Sequence, residues 1–440
     1  MKKLFLFSAV TAGLFTSCVQ NDLIVPELSE AEKEIKFQTV VAKHSSRAII
    51  TGAEYSESAP PFGAYAFWNR SNVNFLPGSE HHIINQKIIH HESNSGTHYW
   101  GPESGEHLWP KDGSLTFYAY SPFNYQESGN ESQPLTHVAP LLGAHGFKFE
   151  NYNVGIHQET DLMVADIVYG KTSNDATVNG HTGVPTVFRH KLAIIAGFIL
   201  KTSDNYDGAW DGTDNAGNGA VEGDQRFKIQ KIELQNIPVQ GTFQSEGIES
   251  DGELIPESWT ISSTASVEES AEETNPEVIK TFVWYDSSHD TVNPYGLLFG
   301  YEAYDQLHLY NPNIGLIEYK SNYKYADPEV PNDYILAIPQ EFLEGSTSSL
   351  HIKYTVEIYT KESDGNFIWK NTRDKPNVEG EDLFIEKTIP LKTIHADPQK
   401  DYHGWGIGKK IVYILDFSTE EIRWAPSVAD WEDDQIKVDY

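Results

Sequence analysis

The chain has 440 residues, a formal net charge of -32, and 12 % aromatic residues that include 23 tyrosines. That balance argues against a basic groove for nucleic acid and against adsorption to an anionic membrane surface, and it favours solubility. The length accommodates two large β domains or three smaller ones, each able to bury a core. Aromatic and β-branched residues are abundant while helical periods rich in Ala, Leu and Glu are scarce, so strands are expected rather than helices.

The chain starts "MKKLFLFSAVTAGLFTSC". Lys2 and Lys3 make a charged start, and Leu4 to Phe15 is an apolar run too short to cross a bilayer comfortably. Small residues and Cys18, the sole cysteine, follow. The pattern reads as a bacterial lipoprotein signal: residues 1–17 are removed and Cys18 is acylated, with palmitate among the acyl groups. Phe15 departs from the leucine usual there. The plainer alternative is a secretory leader with an incidental cysteine. With Cys18 acylated no disulfide can form, so burial and hydrogen bonds must hold the fold. The membrane is then reached through lipid only.

Residues 18–33 are polar and acidic and read as a flexible tether. "EIKFQTVVAKHSSRAII" (Glu34–Ile50) places strand-like pieces around a polar joint that ends in Arg47. "FGAYAFW" (Phe62–Trp68) alternates, with Phe62, Ala64 and Ala66 on one face and Tyr65 and Phe67 near the other. "SLTFYAYSP" (Ser114–Pro122) is a strand stopped by proline, and "TVFRHKLAIIAGFIL" (Thr186–Leu200) reads as a buried strand pair or a bent strand over a helix. In "FKIQKIELQNI" (Phe227–Ile237) the period slips by one residue after Ile229, which predicts a bulge. The alternation lapses near residue 245, where a domain boundary is expected. It resumes in "TFVWY", "DYILAIP", "LHIKYTVEIYT", "KKIVYILDF", "EIRW" and "QIKVDY". Many short strands separated by turn residues read as a sandwich or barrel.

No phosphate loop, H-E-x-x-H, G-x-S-x-G or C-x-x-C occurs. "GWGIGKK" (Gly404–Lys410) lacks the dinucleotide pattern and precedes a strand, so no cofactor is expected. His81, His82, His90, His91, His98 and His107 crowd one stretch, but solvated loop histidines are favoured over a metal site. Asp207, Asp211 and Asp214 miss the calcium-loop spacing, because Thr213 and Ala216 stand at its third and sixth positions. No carboxylate spacing selects a glycosidase pair, and Trp100 and Trp210 are read as core or loop anchors before sugar platforms. The chain is therefore not expected to be an enzyme.

In order along the chain, "FQTVVAKHSSRA", "FGAYAFW", "LWPKDGSLTFYAYSP", "TDLMVAD", "FRHKLAII", "YILAIPQ", "WGIGKKIVYIL" and "IRWAPSVADWED" resemble the fimbrillins, pilins of the type V pili of Bacteroidales. The resemblance implies an all-β chain of two transthyretin-like β-sandwich domains in tandem. These would span residues 34–245 and 246–440. It further implies a lipidated outer-membrane precursor and an arginine-specific protease that removes the N-terminal strand, residues 34–47, by cutting between Arg47 and Ala48. Of six arginines only Arg47 lies between leader and first domain. Another subunit's strand would fill the opened groove. "QIKVDY" suits donation, since Ile436, Val438 and Tyr440 share one face. The implied partners are other fimbrial subunits, the protease and a host or bacterial surface ligand, and the implied location is the cell surface or fimbrium, in stalk or tip. The competing expectation is a monomeric glycan-binding outer-membrane lipoprotein with an intact N-terminus.

Overall fold

A computed structural model describes residues 34–41, 59–69, 80–93, 96, 98–123, 137–139, 146–155, 161–175, 183–202, 222–223, 225–248, 254–262, 278–286, 308–309, 318–320, 334–372, 384–391, 404–417, 422–430 and 435–437. The described residues are all-β, with a single 3-10 turn at Ser173–Asp175. In chain order the strands begin β1 Phe37–Val41, β2 Phe62–Asn69, β3 Glu80–Glu92, β4 His98–Pro102, β5 Ser114–Ser121, β6 His137–Ala139, β7 Lys148–Asn153, β8 Met163–Ala165, β9 Val168–Lys171 and β10 Val184–His190. Next come β11 Ala193–Thr202, β12 Gln225–Pro238, β13 Gln240–Gln244, β14 Gly247–Ile248, β15 Leu254–Ile255, β16 Ser258–Ile261, β17 Ile279–Asp286, β18 His308–Leu309 and β19 Glu318–Lys320. The last are β20 Ile335–Ala337, β21 Gln340–Glu341, β22 Ser349–Lys361, β23 Phe367–Asn371, β24 Ile385–Pro390, β25 Gly404–Trp405, β26 Lys409–Phe417, β27 Ile422–Asp430 and β28 Gln435–Lys437.

The largest sheet runs β2-β3-β4-β1-β10-β8-β5-β9, and β5 also pairs with β2. Those pairings close seven strands into a ring, which leaves β9 as an appended edge. A strand's side chains alternate between faces, so each wall of the ring has an inside and an outside. Inside are Phe62, Ala64 and Ala66 of β2 with Leu115, Phe117 and Ala119 of β5, packed with Ile35, Phe37, Trp100 and Phe188. Outside are Tyr65, Tyr118 and Tyr120, which pack on Phe147 before β7, Tyr120 also on Phe149 of β7, and Phe67, whose ring meets Tyr118. The alternation in "FGAYAFW" thus separates two cores. The bulge in β12 is also present, with the register to β22 shifting between Ile229 and Lys231.

Among the described residues, sheet pairings cross position 245. β11 pairs with β20 and β26, and β12 pairs with β17 and β22. Likewise β13 joins β7 to β16 across that position. One continuous core includes Tyr65 and Phe147 together with Trp284, Leu350 and Tyr413. Sheet membership changes earlier, between β10 and β11, where the long apolar run, expected as a strand pair or a bent strand over a helix, splits between two sheets. The physical reason is that β11 is buried from Ala193 to Phe198, so it needs partners on both sides, and those partners come from beyond residue 334.

Candidate functional site

β1 is a stave of the ring. It lies between β4 and β10, and it does not pair with β2, its neighbour in sequence. It runs parallel to β10 in the register Phe37↔Val184 to Val41↔Phe188, and on its other side Phe37 is opposite Trp100. Upstream, Glu34 bridges to Leu108, and the Ile35 amide donates to the His107 carbonyl at 2.8 Å. The Val184 amide donates to the Lys36 carbonyl at 2.6 Å.

Three side chains enter the ring. Ile35 and Phe37 are 1 % and 3 % exposed, and Thr39 is buried beside its register partner Thr186. The Phe37 ring meets Phe62 and Phe117 edge-on, at centroid distances of 5.6 and 6.1 Å. Phe62 in turn contacts Trp100 at 5.6 Å and Phe188 at 5.3 Å. Phe37 therefore sits in a socket built of aromatic rings, whose edge-to-face contacts add directional energy to plain burial. Gly183 closes one end. Its φ is +86°, and a Cβ built there would lie 2.5 Å from the Phe37 carbonyl carbon and 2.7 Å from the Gln38 nitrogen. Backbone touches backbone at that point, which only glycine permits.

Lys36 and Gln38 are on the outer face of β1. Lys36 Nζ lies 4.8 Å from the centre of the Tyr99 ring and 3.9 Å from Glu34 Oε2. Tyr99 also stacks on His91 at 5.2 Å.

The histidines expected in solvated loops are mostly in strands. His81, His82, His90 and His91 are in β3 and His98 is in β4, while His107 follows β4. The correction has a local cause: the two adjacent pairs, His81-His82 and His90-His91, lie near the two ends of β3 and are paired into the sheet, one histidine of each pair on either face. His82 Nε2 lies 2.8 Å from the Leu108 carbonyl, and the His90 and His98 rings stack at 5.2 Å. Burial and the nearby His82 charge hold the His107 pKa below the usual histidine value. Among the described residues no three His, Cys, Asp or Glu side chains are grouped to hold a metal. The glycines of "GWGIGKK" have structural work: a Cβ on Gly404 would lie 2.1 Å from the Gln340 carbonyl oxygen, and Gly408 has φ +64°. Trp100 is a core residue of the ring.

The pieces "TDLMVAD" and "FRHKLAII" meet. β8 pairs antiparallel with β10, Arg189↔Val164 and His190↔Met163. Arg189 donates to both Asp166 oxygens at 2.6 and 2.8 Å, and His190 Nδ1 contacts Asp161 Oδ2. Lys191 donates to Glu257 at 2.7 Å. Three consecutive bases thus each find a carboxylate, as buried charges require.

The model of the fimbrillin-like family matches residues 57–283, more than half of the chain. The chain belongs to the fimbrillin-like family. The matched span of this fimbrillin-like chain starts downstream of β1 and ends within β17. Similar solved structures include a fimbrial protein from Bacteroides vulgatus, at 15 % identity, covering 90 % of this chain and 99 % of that one, with a TM-score of 0.43. A putative cell adhesion protein from Bacteroides uniformis has 14 % identity, covers 90 % of this chain and 98 % of its own, and has a TM-score of 0.39. The tip fimbrial protein Mfa3 from Porphyromonas gingivalis, with C-terminal truncation, has 10 % identity, coverages of 85 % and 94 %, and a TM-score of 0.27. No curated protein matches the chain.

Of the residues singled out in the sequence, Cys18, Arg47, Ala48, Val438 and Tyr440 lie outside the described residues, as do Trp210 and the aspartates at 207, 211 and 214. Ile436 is in β28, which pairs antiparallel with β19, Tyr319↔Ile436. Sequence reasoning did not find Gly183, Phe62, Phe117 or Phe188 as the seat of the first strand. The only signal was the glycine one residue before an apolar run, and it names no partner.

Proposed function

We propose that this fimbrillin-like chain is a structural subunit, stalk or tip, of a cell-surface fimbria that supports adhesion. In this reading it is lipidated on Cys18 at the outer membrane and cut by an arginine-specific protease between Arg47 and Ala48. The freed β1 leaves, and a strand of another subunit takes its place. The C-terminal strand with Ile436, Val438 and Tyr440 is donated in turn. No catalytic step and no cofactor enters this reading.

The observation that carries the reading is the placement of β1. It is bonded to β4 and β10 but not to β2, so one cut in residues 42–61 leaves it held by non-covalent contacts alone. Its loss opens the ring, bares two strand edges and empties the aromatic socket, a state that recruits a replacement strand. Arg47 lies six residues beyond the end of β1. Family membership supports the fimbrial role.

The test is the N-terminal residue of the protein recovered from the cell surface. The reading expects Ala48 in fimbriae and a lipidated Cys18 in membrane-bound precursor. Arg47→Ala should leave monomers in the membrane fraction, and Cys18→Ser should release them. Normal polymers from Arg47→Ala would overturn the exchange.

A further inference from the structure

We infer that the seat of β1 holds one specificity pocket, the socket of Phe37, and selects its occupant by a single aromatic side chain at the central inward position. An aliphatic residue two before that ring and a residue no larger than threonine two after it complete the pattern. The inference rests on the exchange reading above and names the chemistry of the strand, from whichever subunit, that fills the site.

The three inward places of the seat differ. At the centre, the Phe37 ring meets Phe62 and Phe117 edge-on, at centroid distances of 5.6 and 6.1 Å. Both walls are braced from behind, Phe62 by Trp100 and Phe188 at 5.6 and 5.3 Å, and Phe117 by Trp109 at 5.7 Å. Braced walls close poorly around a smaller occupant, so an aliphatic side chain there leaves a void. It also forfeits edge-to-face contacts, which only a ring makes. On the N-terminal side the Ile35 place is 1 % exposed and is filled by a side chain without a ring. On the other side Thr39 and its register partner Thr186 are 7 % and 3 % exposed, and the Thr186 hydroxyl donates to the Val184 carbonyl at 3.0 Å. A ring in either flanking place overfills a packed site. The Phe37–Gln38 peptide lies against Gly183 at a distance only glycine allows, so that contact and the ladder to β10 hold the backbone beside the ring at one depth. Alternation of apolar residues alone does not satisfy such a seat, because its discrimination falls on one position.

The first experiment moves the ring without changing composition. In the full chain, Ile35→Phe with Phe37→Ile keeps the same side chains and shifts the ring by two residues. Protection of the β1 amides against hydrogen exchange should fall by roughly 30-fold or more, while β26 amides stay within a few-fold. Sliding the strand two residues to return the ring to its socket gives no rescue, because it brings Lys33 into the buried Ile35 place and desolvates its charge. Phe37→Leu keeps an apolar side chain and loses the ring; it should cost the same amides roughly tenfold, and it decides the matter if the double variant does not fold. Unchanged β1 protection overturns the inference, since the seat then reads apolar alternation alone. The second experiment cuts the wild-type chain with an arginine-specific protease and adds fluorescent peptides of residues 34–41, either native or with residues 35 and 37 exchanged. The native peptide should bind roughly 30-fold more tightly, since a slid peptide leaves the Ile35 place empty. Equal binding overturns the inference. If neither peptide binds and β1 stays with the cut chain, the exchange reading falls, and the hydrogen-exchange result alone decides what the socket selects.

Discussion

Gly183 decides how closely the first strand can lie against β10. Its positive φ is costly for any other residue, by about 1–3 kcal/mol, before the clash with the β1 backbone is added. Gly183→Ala should therefore expose the amides of Phe37–Val41 to exchange and lower the unfolding midpoint, and β1 protection equal to wild type would contradict this. His107 sets a pH dependence at the same strand, since its carbonyl receives the Ile35 amide. Its pKa is lowered in the fold by burial and by His82, so the unfolded chain binds the proton more readily. Stability from this residue is complete above the ordinary histidine value of about 6.5 and falls as pH drops from there towards the lowered folded value. Protection of the Ile35 amide should decline across that window, and His82→Gln should flatten the decline. Elsewhere a pair of residues was half legible. Gly63 lies within the strand-like run "FGAYAFW", and the Tyr120 ring lies across it, with an added Cβ 2.2 Å from that ring, while the Tyr120 hydroxyl donates to Asn85 at 2.7 Å. Only the β2–β5 register brings them together.

At the scale of elements, the strands were readable because alternation is a property of the extended backbone itself. β2, β5, β12, β22 and β26 fall where the period-two runs predict them. The pairing of β8 with β10 shows what such runs omit. Its charged residues are interleaved with the apolar ones and matched across the strands, His190 with Asp161 and Arg189 with Asp166. The His190–Asp161 pair is buried on both sides, at 3 % and 7 % side-chain exposure, whereas Asp166 is 48 % exposed. Asp161→Ala should thus cost about 3–5 kcal/mol, the scale for stranding a buried partner. Asp166→Ala should cost about 1 kcal/mol, since solvent screens its half-exposed carboxylate. Denaturant midpoints of the two variants check the order, and equal losses would mean that burial does not set the difference.

Across the whole molecule, a chain with 64 acidic and 32 basic residues depends on local pairing to place carboxylates near its sheets. On the sheet formed by β17, β12, β22 and β24, Lys231 contacts Glu233 and lies 3.6 Å from Asp286, and Lys353 lies 3.0 Å from Glu386. Burial alone would raise the Glu233 pKa, but hydrogen bonds from Lys231 and Gln235 and the charges of Lys231 and His351 outweigh it and hold it below the usual value. The Lys353 hydrogen bond and charge do the same to Glu386. Both carboxyls bind protons less readily folded than unfolded. Their contribution is present above the ordinary glutamate pKa of about 4.3 and is lost as pH falls through the lowered folded values. Thermal stability should drop below about pH 4.3, and Glu233→Gln should shrink that drop. A pH profile unaffected by Glu233→Gln would remove this network as its source.

By itself the sequence determined the strand content, the faces of β2, the bulge in β12 and, through motifs in order, the family. These follow from neighbours along the chain: a pleated backbone alternates its side chains, and a slipped period needs an extra residue. Only the tertiary structure decided that β1 lies parallel to residues 184–188, that seven strands close into a ring, and that β11 finds its partners beyond residue 334. Those choices are made between strands far apart in the chain, by which apolar faces fill one another and which edges are left to pair. No local pattern encodes that competition. Phe37 is an alternating aromatic in the sequence, and it becomes the occupant of a socket only once Phe62, Trp100, Phe117 and Phe188 have been brought around it.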